Sequence, residues 1–243
     1  MAPVRYLICT SPRSGSTLLC TMLRATGCAG WPESYLHGES LADWAKGLDF
    51  PDTADFDAIC RVALENGRAG GDVFGARQQM HSFPLLLKTL AEQRPEHRDR
   101  DRLEGALGSL RFVYLTRGDK LGQAISLLRA EQSGLWHRNA DGTVYEALPP
   151  RRASGYDREA ITTQGASFEA DDAAWEAWFA SEGIAPHRVA YEALAADPHG
   201  ELARVLGFLD LDPAKARKVQ VPLEKLADAQ SEDWRARYLH AGG

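Results

Sequence analysis

Three short runs of apolar residues divide this chain, and between them apolar positions recur every three or four residues. Tyr6-Leu-Ile-Cys-Thr10 predicts a strand over residues 4–10, Arg111-Phe-Val-Tyr-Leu-Thr116 one over 111–116, and Arg188-Val-Ala-Tyr191 one over 188–191. Runs of this length, bounded by turn residues, read as buried strands. A weaker fourth covers 73–77. Helical spacing predicts helices over 16–26, 40–46, 53–66, 82–92, 101–110, 121–132, 157–181 and 201–209. Gly27 and Gly67 stand just past the ends of two of them, where a glycine stops a helix. Asp119 lies near the start of another, and Gly165 is expected to break the longest. Residues 31–38 read as a loop around Pro32. Residues 139–155 follow neither period: Asp141-Gly142 and Pro149-Pro150 punctuate them and Arg151-Arg152 adds charge. A loop of that length in a compact domain is usually functional, so it reads as a lid, a substrate loop or an oligomer contact. The tail, 223–239, ends in basic and aromatic residues.

Strands alternating with helices predict one α/β domain over residues 1–243, a P-loop-like three-layer sandwich with a mainly parallel central sheet flanked by helices. Ligands in such sheets bind beyond the carboxyl ends of the strands. The segments after 4–10 and 111–116 are therefore the first places to look for chemistry.

Composition narrows the function classes. A chain of 243 residues can bury a sizeable core. The net charge of −6 gives no general attraction to nucleic acid or to an anionic membrane, so an anionic ligand needs a local basic pocket. No apolar run approaches the ~20 residues of a membrane span, and Met1-Ala-Pro-Val-Arg5 leads into a strand without a signal-peptide pattern. Cys9, Cys20, Cys28 and Cys60 lack metal-ligand spacing and read as reduced thiols, consistent with a cytoplasmic protein. The histidines are scattered, and no metal site is expected.

The first strand is followed by Ser11-Pro-Arg-Ser-Gly-Ser-Thr-Leu-Leu19. A strand, a tight Gly-containing loop and a helix start form an anion site, because backbone N–H groups and the helix dipole point at one spot. The pattern is not a Walker A loop. With Gly15 as the second glycine of that motif, the first falls on Thr10 and the phosphate-reaching lysine on Ser16. The loop keeps a hydroxyl, Thr17, and adds a cation, Arg13. This argues against a nucleoside-triphosphate kinase and for a phosphate cradle turned to another donor.

The same string resembles the 5′-phosphosulfate loop of sulfotransferases that use 3′-phosphoadenosine 5′-phosphosulfate (PAPS). Within that superfamily the chain is most similar to the bacterial trehalose 2-sulfotransferase family. Further blocks carry the resemblance: Leu23-Arg-Ala-Thr-Gly27 with Ala29, Gly30 and Pro32; Val73-Phe-Gly75; Arg117-Gly-Asp119 with Gln123-Ala-Ile-Ser126; Trp175-Glu-Ala-Trp-Phe179; and Ala227-Asp228 with Trp234 and Arg237-Tyr238. The resemblance implies that Arg13 and the N–H groups of Ser14, Gly15, Ser16 and Thr17 hold the 5′-phosphosulfate. It implies that Arg117 and Ser126 hold the 3′-phosphate, with Gln123 a weaker neighbour on the same helix. An arginine suits both places because its planar fork can bind phosphate oxygens in pairs.

Sulfuryl transfer needs a positioned acceptor hydroxyl, a base for its proton and positive charge near the leaving oxygen. The family pattern places a Glu two residues after the Pro of the 31–38 loop. Here that position is Ser34, and the Glu stands one residue earlier, at Glu33. Glu33, His37 and Glu39 compete for the role of base, and Arg77 is the expected cation at the transferred group. Where the family usually has Leu-Met-Trp after that cation, this chain has Gln78-Gln79-Met80, which implies altered acceptor contacts. Lys225-Leu226 likewise replaces an Arg-Gln pair. The reading is a PAPS-dependent sulfotransferase acting on a hydroxyl of a carbohydrate or glycolipid, with a homodimer implied by the family alone. The alternative is a non-catalytic protein that binds adenosine 3′,5′-bisphosphate and has lost its base.

Overall fold

The structure, a computed structural model, describes residues 3–50, 55–222 and 228–240. In chain order the elements are β1 (Arg5–Thr10), α1 (Ser16–Ala25), α2 (Leu41–Gly47), α3 (Phe56–Arg68), β2 (Phe74–Gln79), α4 (Phe83–Gln93), α5 (Asp99–Leu107), β3 (Arg111–Thr116), α6 (Lys120–Ser133), β4 (Leu135–Arg138), β5 (Val144–Ala147), α7 (Arg158–Glu182), β6 (His187–Ala190), α8 (Tyr191–Ala196), α9 (Pro198–Phe208) and α10 (Ala229–His240). Four strands form a parallel sheet in the order β2-β1-β3-β6. β1 and β3, the two most apolar runs, occupy its centre.

Alternation along these strands makes the layers. Leu7 and Cys9 of β1, with Phe112 and Tyr114 of β3, face a core built with α3, α4, α5 and the Trp175–Phe179 end of α7. Tyr6, Ile8, Val113 and Leu115 face the opposite core, built with α1 and α9. A third cluster joins α6, α7 and α10 through Ile125, Leu128, Phe168 and Trp234. The result is the expected sheet flanked by helices on both faces. The switch in strand order falls between β1 and β3, so the loops after them open onto one crevice.

Several elements differ from the sequence reading. α7 runs unbroken through Gly165, around which nothing crowds, because Ile161, Phe168, Trp175 and Phe179 anchor the helix on both sides of it. Tyr191 ends no strand; it starts α8, and α9 begins earlier than expected, at Pro198 behind the Asp197 cap. α5 stops at Leu107 because Gly108 turns to φ +84°. α3 starts at Phe56 behind an Asp55 cap; positions 53–54 of its expected range lie outside the described residues. Residues 135–147 contain the antiparallel hairpin β4–β5, turned at Asp141-Gly142 with the Asp141 carboxylate accepting the Thr143 N–H at 2.9 Å. All four cysteines are free thiols. No helix among the described residues is long and apolar enough to cross a membrane.

Candidate functional site

The loop after β1 is fixed from beneath. Thr10 Oγ1 donates to the Leu115 carbonyl at 2.8 Å and shares a 2.6 Å hydrogen bond with Ser14 Oγ, so the Ser14 side chain turns inward. Trp175 Nε1 donates to the Thr10 carbonyl at 3.0 Å. The fully buried Gln123 donates to Ser11 Oγ at 3.0 Å and to the Pro12 carbonyl at 2.6 Å. Gln123 thus braces the loop. Gly15 takes φ +87° at the start of α1, and a Cβ there would come within 2.5 Å of the Tyr191 ring. No side chain caps α1, so its first-turn N–H groups lack the usual side-chain acceptor. An uncapped helix start of this kind can accept an anion.

A cleft of about 520 Å³ opens beside this helix start, lined among others by Arg13, Gly15, Arg117, Ser126, Arg138 and Arg235. In a chain of net charge −6 this cleft gathers Arg13, Arg117, Arg129, Arg138 and Arg235 against Asp119, Asp228 and Glu232. The Arg117 guanidinium lies 4.6 Å over the Tyr191 ring, donates to the Arg13 carbonyl at 3.4 Å and faces Asp119 Oδ2 at 3.4 Å. Its Nε is buried with no hydrogen-bond partner among the described residues. Asp119 also caps α6 through the Gly122 N–H at 2.9 Å and pairs with Arg235. Burial would raise its carboxyl, but the Gly122 N–H, Arg235 and Arg117 outweigh that and hold it below the usual range.

Arg13 and Ser126 meet directly. Arg13 Nε donates to Ser126 Oγ at 3.0 Å, and Nη1 donates to the Trp136 carbonyl at 2.7 Å. Burial and the neighbouring Arg117 lower the Arg13 guanidinium to about 10, still charged at neutral pH. Arg13 therefore ties the loop, α6 and the β4–β5 hairpin together.

The second cluster surrounds Arg77 of β2. Its Nη1 donates to Thr17 Oγ1 at 3.0 Å and to Ser16 Oγ at 3.4 Å, its Nε donates to Ser34 Oγ at 2.8 Å, and its Nη2 stands 3.8 Å from Glu33 Oε2. Glu33 is set by the backbone: it forms a parallel bridge with Ala76, and its carbonyl accepts the Arg77 N–H at 2.9 Å. Its carboxylate also lies 3.9 Å from Arg24. Burial raises the Glu33 carboxyl even though Arg77 and Arg24 pull it down. His37 packs edge-on against His81, ring centroids 4.9 Å apart, and its imidazole is held low by burial and by Arg77. Glu39 is exposed at the start of α2, where its N–H bonds Asp43 at 3.0 Å. Of the three candidate bases, Glu33 alone has an ion pair to Arg77. Gln78 turns into the core and donates to Ser82 Oγ at 2.8 Å, so of the altered Gln-Gln-Met string it offers no side chain to a ligand.

Two residues of this region were not singled out from the sequence. His137 and Glu146 face each other across the β4–β5 hairpin, Nε2 to Oε2 3.6 Å, and the same Nε2 lies 3.5 Å from Arg13 Nη1. Burial, then Arg13 and Arg77, push the imidazole down to about 3, so at neutral pH this is a neutral ring beside a carboxylate, not an ion pair. The Asp141-Gly142 turn was the available signal for the hairpin; nothing in the sequence placed it beside the loop. Trp234, part of a block that carried the resemblance, is buried in the third core cluster. Lys225 and Leu226 lie outside the described residues. No group of three or more His, Cys, Asp or Glu residues able to hold a metal ion occurs among the described residues.

Residues 5–241 match the Stf0 sulphotransferase family. The chain is 33% identical over 261 residues to a trehalose 2-sulfotransferase of Mycobacterium tuberculosis, with 96% of this chain and 93% of that protein covered. It is 30% identical over 267 residues to a trehalose 2-sulfotransferase of Mycolicibacterium smegmatis, with 97% and 94% covered. Among solved structures it is similar to the sulfotransferase domain of a Synechococcus olefin synthase, with a TM-score of 0.45 and 17% identity over 96% of this chain and 88% of that one.

Proposed function

The chain belongs to the Stf0 sulfotransferase family, and from that premise we propose that it moves a sulfuryl group from PAPS to a hydroxyl of a carbohydrate acceptor. The observation that carries the donor assignment is the pairing of an uncapped helix start with a buried, unpartnered Arg117 Nε on one arginine-lined cleft. A buried donor without an acceptor costs about 1–3 kcal/mol, a cost that a ligand phosphate removes. The acceptor class rests on the relatives named as trehalose 2-sulfotransferases.

The donor supplies an activated sulfuryl group and a bisphosphate leaving group. In this proposal the N–H groups of residues 14–17 and Arg13 bind its 5′ end. Arg117 and Ser126 bind the 3′-phosphate and so discriminate against ADP. Glu33 takes the proton of the acceptor hydroxyl, since a carboxyl raised by burial lies closer to neutrality and is the better base. Arg77 reaches both Glu33 and the Thr17 hydroxyl at the helix start, so its charge can follow the negative charge that develops on the leaving oxygen. Ser34 stands where the family pattern has its Glu. Both it and Glu33 engage the same guanidinium, which supports Glu33 as the replacement base and weighs against the non-catalytic alternative.

Calorimetric binding of adenosine 3′,5′-bisphosphate, with ADP as the comparison, tests the donor. Transfer of labelled sulfuryl from PAPS to trehalose tests the reaction. Tight bisphosphate binding with weak ADP binding is the expected result. Equal binding of the two nucleotides would overturn the donor assignment. Bisphosphate binding without transfer to trehalose or any other sugar would favour the non-catalytic protein.

A further inference from the structure

The largest exposed aromatic side chain stands two residues before the proposed base. Trp31 is 42% exposed, in a fold that buries Trp44, Trp175, Trp178 and Trp234. Its backbone is fixed, because its N–H donates to the Gly67 carbonyl at 2.8 Å and Gly30 before it packs so tightly on the Val73 and Gly67 carbonyls that no Cβ would fit. The Tyr35 hydroxyl bonds the Trp31 carbonyl from the other side. Nothing in this anchoring needs the indole at the surface.

The indole has a charged companion. The Arg24 guanidinium lies 4.5 Å from its ring centroid and, at its other end, 3.9 Å from Glu33 Oε1. Arg24 thus spans from the exposed ring to the carboxylate that also faces Arg77. The guanidinium stacks over the half-exposed indole and reaches the carboxylate, so an aromatic ring, a fork of N–H donors and a carboxylate lie together. A pyranose ring matches that set: its C–H face packs on the part of the indole that Arg24 leaves exposed, and its hydroxyl edge takes N–H donors and offers O–H groups to a carboxylate.

We propose that Trp31 and Arg24 form a sugar subsite that seats the acceptor next to Glu33, with Trp31 as a specificity-determining residue. The inference rests on the carbohydrate-acceptor reading above. Trp31 is not among the residues that line the nucleotide cleft, so its removal is expected to spare donor binding.

The test uses the full chain saturated with adenosine 3′,5′-bisphosphate and compares wild type, Trp31→Ala and Trp31→Phe. Binding of trehalose, maltose and methyl glucoside is followed by saturation-transfer NMR on the sugar C–H protons and by tryptophan fluorescence. Wild type binds at least one disaccharide, Trp31→Ala weakens it roughly five- to tenfold, and Trp31→Phe restores most of it, in line with aromatic contacts worth about 0.5–1.5 kcal/mol. In turnover the same loss appears in KM, with kcat within about twofold. Equal sugar binding by wild type and Trp31→Ala, including no binding by either, overturns the subsite. Bisphosphate affinity, measured on every variant, separates this outcome from failure of the donor assignment, which shows as absent nucleotide binding in wild type itself. A Trp31→Ala protein that also loses the bisphosphate overturns the proposal, because the residue would then act through the fold.

Discussion

At the proposed nucleotide end of the cleft the assigned groups come from two strand-loop-helix units, residues 11–17 after β1 and residues 117–126 after β3. Around Arg77 they come from β2, the loop after α1, the first turn of α1 and, through charge, the β4–β5 hairpin. Each unit of the first end is local in sequence, and the loop after β1 is braced from below by Gln123 and Trp175. The second is a convergence of distant segments on one guanidinium. The nucleotide end should therefore yield to single substitutions as lost binding, and the other as lost turnover with binding kept.

The strongest test of that contrast is Glu33→Gln. If Glu33 is the base, kcat falls about 10²- to 10⁴-fold, the usual contribution of a general base, while bisphosphate affinity stays unchanged by calorimetry. A near-normal kcat would return the role to His37, which His37→Ala then checks. Next in size is Arg117→Ala. Losing a charge-assisted phosphate contact worth about 1.5–3 kcal/mol weakens adenosine 3′,5′-bisphosphate roughly ten- to hundredfold, whereas ADP binding hardly moves. Equal losses for both nucleotides would remove Arg117 from the 3′-phosphate.

A smaller effect separates geometry from charge. Gly15→Ala keeps every charged group but forces a Cβ to within 2.5 Å of the Tyr191 ring at φ +87°. Backbone strain of this kind costs about 1–3 kcal/mol, so urea unfolding shifts to lower concentration and nucleotide binding weakens together with it. Unchanged stability would mean that the Tyr191 ring gives way.

A further test is a pH slope. His137 falls from 6.5 to about 3 in the folded protein through burial, Arg13 and Arg77. Between these values the unfolded chain takes up a proton that the folded chain refuses, so stability declines as pH falls from about 6.5 toward about 3. His137→Gln removes that proton uptake and flattens the acid limb of stability against pH. An unaltered limb would show that His137 titrates alike in both states, and with it that the hairpin does not press on the Arg13 and Arg77 charges.

The contrast also explains what could be read from the chain. The runs at 6–10 and 111–116 specify central strands because only a strand covered on both faces tolerates unbroken apolar sequence. The loop string after the first run specifies a tight turn into an uncapped helix start because glycine, hydroxyl and helix start lie within one turn. Hairpin β4–β5 was missed because its strands are four residues each and only partly buried, leaving no alternation to read. Gly165 suggested a break that did not occur, since the packing of Ile161, Phe168 and Trp175 outweighs the roughly 1 kcal/mol that a glycine costs a helix.

By itself, then, the sequence determined the parallel sheet, its crevice and the tight strand-loop-helix turn that the phosphate-binding proposal rests on. Only the tertiary structure decided that Glu33 and Ser34 share Arg77, that Arg13 reaches Ser126 and that His137 stands beside Arg13. Hydrogen bonds and charges act over a few ångströms in space. Which residues lie that close, when tens of positions separate them in the chain, is set by how the layers pack.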